Sequence, residues 1–253
     1  VDSSAGRFRG AAAHYRDALA ANPLQTIATH NLGVALLKLN DLDAADAAFA
    51  AALSADKTNA RAVFARGQIA GRRGDRKAAS EYYRRACEML PDEPTFHHAR
   101  ARVLRRLGDD AEAETALRRY RATKAALYRA KGREFMSRKL WVDALAHLTK
   151  AVETDPEDID SLTDRAYCLL RKGESELAVL EYERVLAVRP DATQAAIRLA
   201  TALDHLGRHV ESEARLLDAI TRDPGVPATY RQLASTRRAR GDLVGSEAAF
   251  TMG

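Results

Sequence analysis

Residues 29–52 read THNLGVALLKLNDLDAADAAFAAA. Apolar residues recur at spacings of three and four, as in Ala45, Ala48, Phe49 and Ala52, which is the period of a helix and not the two-residue period of a strand. Asn40-Asp41 divides the stretch. Asn tolerates the backbone angles of a helix exit, and Asp caps the helix that follows. The stretch is therefore one helical hairpin.

The hairpin recurs along the chain. Gly33 and Gly67 are 34 residues apart, as are Gly74 and Gly108, and the run Gly173, Gly207 and Gly241 keeps that interval. So do Pro156, Pro190 and Pro224, and Ala45, Ala79 and Ala113, with Ala144 and Ala178 continuing the ladder in a later register. A period of this length marks stacked helical hairpins, each of which completes its neighbour's core. The boundaries follow as 26–59, 60–93, 94–124, 125–158, 159–192 and 193–226, with partial repeats at 1–25 and 227–253. Unit 94–124 is three residues short, and the span 111–131 holds no Gly, Pro or Asn. Either its second helix runs on toward the next repeat, or a shortened turn lacks the usual marker.

These residues resemble the tetratricopeptide-repeat family over the whole chain. The match runs through Leu32, Gly33, Leu36, Ala45, Phe49 and Ala52 in one unit, and Gly67, Ala79, Tyr83, Ala86 and Pro91 in the next. Tyr128, Gly132, Phe135, Ala144, Leu148, Ala151 and Pro156 repeat it, with Lys139 where the turn Gly is usual, and Ala101 and Ala166 replace Gly in two units. The resemblance implies an all-α, right-handed superhelical solenoid of antiparallel helix pairs. It further implies a scaffold or adaptor that binds a peptide, helix or partner domain in a concave groove, and it implies no enzyme. The packing logic is physical: small residues let the paired helices approach, and a bulky residue fills the adjoining groove.

Composition agrees with a packed, soluble fold: 46% hydrophobic, 30% charged and a formal charge of +5. Residues 60–124 hold 16 Lys and Arg against 9 Asp and Glu, so one segment supplies more than the net charge. No stretch reaches the roughly 20 apolar residues of a membrane span, and VDSSAGRFRG at the start has no apolar signal core. The expectation is a soluble segment that does not insert into a membrane, cytoplasmic, or periplasmic within a bacterial export protein. The missing initiator Met and the partial repeats point to a longer parent protein. Two cysteines, Cys87 and Cys168, are expected as unpaired packing residues.

Within the family, the first helix of each repeat lines the concave face. That carries over to His98, Arg102, Arg105 and Arg106 in one unit and Arg129 and Arg133 in the next, a basic set suited to an acidic peptide through Arg forks. A neighbouring set, Asp164, Tyr167, Arg171, Arg198, Asp204 and His205, is mixed in charge. The clamp for a C-terminal carboxylate used by chaperone adaptors is not matched, because His30, Val34, Ala65, Thr95 and Ala99 stand at its positions.

Catalytic and metal readings find no support. His97-His98 point in different directions on a helix, and the acidic run Asp155, Glu157, Asp158 and Asp160 lacks the Gly and Glu of a calcium loop. GRRGD at 71–75 lacks the Lys-Ser/Thr of a phosphate loop. No cofactor or metal is expected. Two alternatives remain at this level: a spacer or assembly module in a larger machine, such as a polysaccharide-export or ciliary one, self-associating through its incomplete ends; and salt-dependent nucleic-acid binding through the Arg-rich middle, disfavoured because no base-reading element is recognised.

Overall fold

The computed structural model describes residues 3–23 and 25–252. Fourteen α-helices and no strand occur among these residues. They are α1 (Ser3–Ala21), α2 (Thr26–Lys38), α3 (Leu42–Ala55), α4 (Ala60–Arg72), α5 (Arg76–Met89), α6 (Pro94–Leu107) and α7 (Asp110–Ser137), then α8 (Trp141–Thr154), α9 (Ile159–Lys172), α10 (Ser175–Val188), α11 (Thr193–His205), α12 (His209–Arg222), α13 (Pro227–Ala239) and α14 (Leu243–Met252). The fold is all-α, with paired helices in tandem.

Local chemistry sets the helix ends. Asp41, Asn59, Asp75 and Asp158 accept hydrogen bonds from the backbone N–H groups of Ala44, Ala62, Ala78 and Ser161, satisfying donors that the first turn leaves open. Pro94 and Pro227 stand in the first turns of α6 and α13, where a missing N–H costs nothing. At the hairpin turns the chain adopts positive φ: +86° at Gly74, 61° at Asn40 and 58° at Lys139. Lys139 takes that conformation without the freedom of glycine.

The short third repeat resolves in favour of a long helix. α7 has 28 residues where α6 and α8 have 14 each, so the residues of a second helix and of the next first helix are helical without a turn between them. The chain divides into two compact units, Val1–Thr123 and Lys124–Gly253.

In the first unit, α2 packs beside α4, and Phe49, Ala45, Ala62 and Ile69 form a buried cluster between the helix pairs. Phe96, Val63 and Ala86 form the next cluster. A Cβ on Gly33 would lie 2.8 Å from the Phe49 ring, and one on Gly67 would lie 2.7 Å from the Tyr83 ring. In the second unit Gly132 faces Leu148 in the same way, at 2.7 Å. The core of that unit runs through Leu162, Leu169, Tyr182, Leu199 and Leu203. Ser212 and Ser246 occupy the position held earlier by the buried alanines. Their hydroxyls donate to the carbonyls of Ala200 and Ala234 at 3.1 and 2.9 Å, so a polar side chain fits the tight contact without an orphaned group. Cys87 and Cys168 are buried and free, and burial pushes their thiols up to about 11 and about 12.

Candidate functional site

In the first unit, the first helices of three successive repeats, α2, α4 and α6, line a cleft of about 520 Å³, to which α5 adds Ala79 and Tyr83. Its cations are Lys38, Arg72, Arg102 and Arg106, with Gln68 and the Tyr83 ring between them and no Asp or Glu in the lining. Arg102 and Arg106 are four residues apart on α6 and so share a face. Arg72 is tethered: its Nη1 donates to the Leu37 carbonyl at 2.8 Å and to Asn40 Oδ1 at 3.2 Å. Lys38, Arg102 and Arg106 form no ion pair with another described residue. Burial pushes the Tyr83 phenol above its ordinary range, and the Arg102 and Arg72 charges act against that rise.

A second cleft of about 260 Å³ adjoins the first and shares Leu37, Lys38 and Gln68 with it. Its lining is largely apolar, with Val34, Phe49, Phe64, Ala65 and Phe96, and it also contains His30, Arg61, Glu93 and Thr95. Phe64 and Phe96 stack with centroids 4.5 Å apart, which fixes the wall. Burial, and then the Arg61 charge, hold the His30 pKa below its usual value, so the ring is neutral at neutral pH. Glu93 is committed locally, accepting from the Thr95 N–H and hydroxyl at the start of α6.

The sequence-derived set separates into parts. Arg102 and Arg106 face the basic cleft. Arg105 lies 4.0 Å from Glu114 and is exposed, and His98 packs its ring on Tyr120 at 4.9 Å. Arg129 and Arg133 belong to the second unit, where acids neutralise them: Arg129 meets Asp158 at 2.5 Å and Asp160 at 3.7 Å, and Arg133 meets Asp164 at 2.5 Å. Burial raises the Asp164 pKa even with Arg133 in contact. Arg171 and Arg198 likewise cover the rings of Trp141 and Tyr167, at 5.3 and 4.1 Å. Lys38 and Arg72 escaped the sequence reading. A signal for them exists: Lys38, Arg72 and Arg106 are spaced by 34 and hold one position in successive repeats.

The other candidates have structural partners. His97 is buried, and its Nε2 lies 2.7 Å from the Pro91 carbonyl oxygen; a carbonyl only accepts, so Nε2 carries the proton. In the acidic run, Asp155 accepts from the Glu157 N–H, Asp158 caps α9 and Asp160 pairs with Arg189 at 2.9 Å. No group of three or more His, Cys, Asp or Glu residues placed to hold a metal occurs among the described residues. No helix among them is long and apolar enough to cross a membrane.

A tetratricopeptide-repeat family model matches residues 3–60, 64–127 and 163–227. No curated protein matches the chain at a significant level. Among solved structures, the chain is similar to MamA 41-end from Desulfovibrio magneticus RS-1, at 18% identity over 76% of this chain and 91% of that one, with a TM-score of 0.43. It is also similar to the first TPR of Spaghetti (RPAP3) bound to an HSP90 peptide, at 20% identity over 47% and 95%, with a TM-score of 0.45. A third is YrrB, a TPR protein with an unusual peptide-binding site, at 19% identity over 85% and 95%, with a TM-score of 0.37. At such low identities and TM-scores, none of the three bears on what this chain binds.

Proposed function

The chain belongs to the tetratricopeptide-repeat family, whose arrays serve as protein–protein interaction scaffolds, and we propose that it holds an acidic segment of a partner protein along α2, α4 and α6. One observation carries this reading: Lys38, Arg102 and Arg106 stand unneutralised in a cleft that contains no carboxylate. Charges of one sign lining a concavity raise the local concentration of the opposite sign, and they bind it more strongly there than on an open surface. The neighbouring apolar wall of Val34, Phe64 and Phe96 supplies the buried contact that anchors an interface.

Fluorescence anisotropy with acidic peptides tests the assignment. Replacing Arg102 and Arg106 together by Glu should weaken binding by about a hundredfold or more and flatten its salt dependence, since charge-assisted pairs are worth roughly 1.5–3 kcal/mol each. Peptide affinity unchanged by that substitution would remove the cleft as the site. Tighter binding of a single-stranded oligonucleotide than of any peptide would favour a nucleic-acid partner instead.

A further inference from the structure

Resting on the acidic-partner reading, we infer that the trough of the first unit selects a phosphorylated serine or threonine, with an apolar residue about three or four positions away in the same extended segment. The first support is the charge imbalance. Four cations, Lys38, Arg72, Arg102 and Arg106, line one cleft with no acid among them. A single Asp or Glu side chain brings one negative charge, whereas a phosphomonoester carries about −1.5 to −2 at neutral pH and three strong acceptor oxygens. Arg102 and Arg106, one turn apart, present two guanidinium forks from the same helix face, a geometry suited to bridging oxygens of one phosphate group. Arg72 is tethered through its Nη1 and keeps its Nε and Nη2 donors for a ligand.

The basic first-helix residues of the second unit differ. Arg129 and Arg133 are paired with Asp158 and Asp164, and Arg171 and Arg198 lie over the rings of Trp141 and Tyr167. Among the described residues, Arg102 and Arg106 have neither kind of partner and share one cleft with Lys38 and Arg72.

The position of the apolar residue follows from helix geometry. Phe64, in the apolar cleft, and Arg72, in the basic one, are both on α4, eight residues apart. At about 1.5 Å rise per residue that is roughly 12 Å along the helix, which an extended peptide covers in about three or four residues at ~3.3 Å each. The shared lining of Leu37, Lys38 and Gln68 makes the two clefts continuous, so one segment reaches both. The basic cleft, at about 520 Å³, has room for the phosphorylated residue with its flanking backbone.

The test uses the whole chain and degenerate synthetic peptides with a fixed central phosphoserine, serine or glutamate, read by anisotropy and by sequencing of the retained pool. The expected result is at least tenfold tighter binding of the phosphoserine pool than of either other pool, with enrichment of Leu, Ile or Phe three or four positions from the centre. Joint replacement of Arg102 and Arg106 by Ala should erase the phosphoserine advantage while the circular dichroism spectrum is retained. Inorganic phosphate should compete only weakly, because it lacks the apolar contact. Glutamate and phosphoserine pools bound equally well would overturn this inference and leave the acidic-partner reading standing. Failure to bind either pool would overturn both. A phosphoserine advantage that survives the double substitution would place the phosphate elsewhere and overturn the assignment.

Discussion

Gly67 and Gly71 lie one turn apart in α4, yet they answer different demands. A Cβ on Gly67 would meet the Tyr83 ring at 2.7 Å, while one on Gly71 would find its nearest neighbour, the Ala79 Cβ, at 3.8 Å. Gly67→Ala should therefore overpack the helix pair and cost about 1–3 kcal/mol, whereas Gly71→Ala should stabilise by about 0.5–1 kcal/mol through helix propensity. Urea midpoints moving in opposite directions check this pair. Lys139 is the other informative residue: at φ 58° it holds a conformation that glycine adopts without strain. Lys139→Gly should raise stability by about 0.5–1 kcal/mol, the relief of left-handed strain less the added freedom of the unfolded chain. A fall in stability on that substitution would mean that the Lys139 side chain contributes more than its backbone costs. Both sites were legible as letters, Gly67 as a ladder position and Lys139 as a departure from the turn pattern. The ladder picks out Gly67 and not Gly71, and the packing distances give the reason, a ring at one position and open contact at the other.

At the scale of the element, α7 carries the distinctive feature. The three missing residues and the absence of a helix breaker across 111–131 left two outcomes open, and the helix continues because every residue there tolerates helical backbone. Ala122 is exposed and lies within α7, so Ala122→Pro tests continuity without disturbing a core contact. It should cost about 3 kcal/mol and strip amide protection around residue 122, as a proline inside a helix removes one hydrogen bond and clashes with the preceding turn. A shortened turn at this place would accept the proline with little change. The other helices illustrate the opposite case, in which endings are written locally. Pro91, Pro156, Pro190 and Pro224 each stand two residues past the last helical residue, at Met89, Thr154, Val188 and Arg222, and the residue before each is pushed out of the helical region.

On the proposed reading, binding and stability draw on different arginines across the molecule. Substituting Arg129 by Ala should cost about 1–2 kcal/mol, because Asp158 is 13% exposed and would lose its charge partner, yet it should leave peptide affinity unchanged. Denaturation and anisotropy on the same variant check both halves, and a large loss of affinity would move the site toward the second unit. The repeat, the all-α class, the helix ends marked by a cap or a proline and the small-against-bulky packing were determined by the sequence itself, because period, caps and breakers act within a few residues or recur at fixed spacing; the extent of α7, which has no such mark across 111–131, was not. Which cations remain unneutralised was decided only by tertiary structure. Arg129 and Asp158 are 29 residues apart and Arg133 and Asp164 are 31 apart, so their pairing depends on how neighbouring helices face each other. The same stacking brings Lys38 and Arg72 to Arg102 and Arg106, with no acid opposite them. Charge composition counts the arginines, but only the fold pairs them.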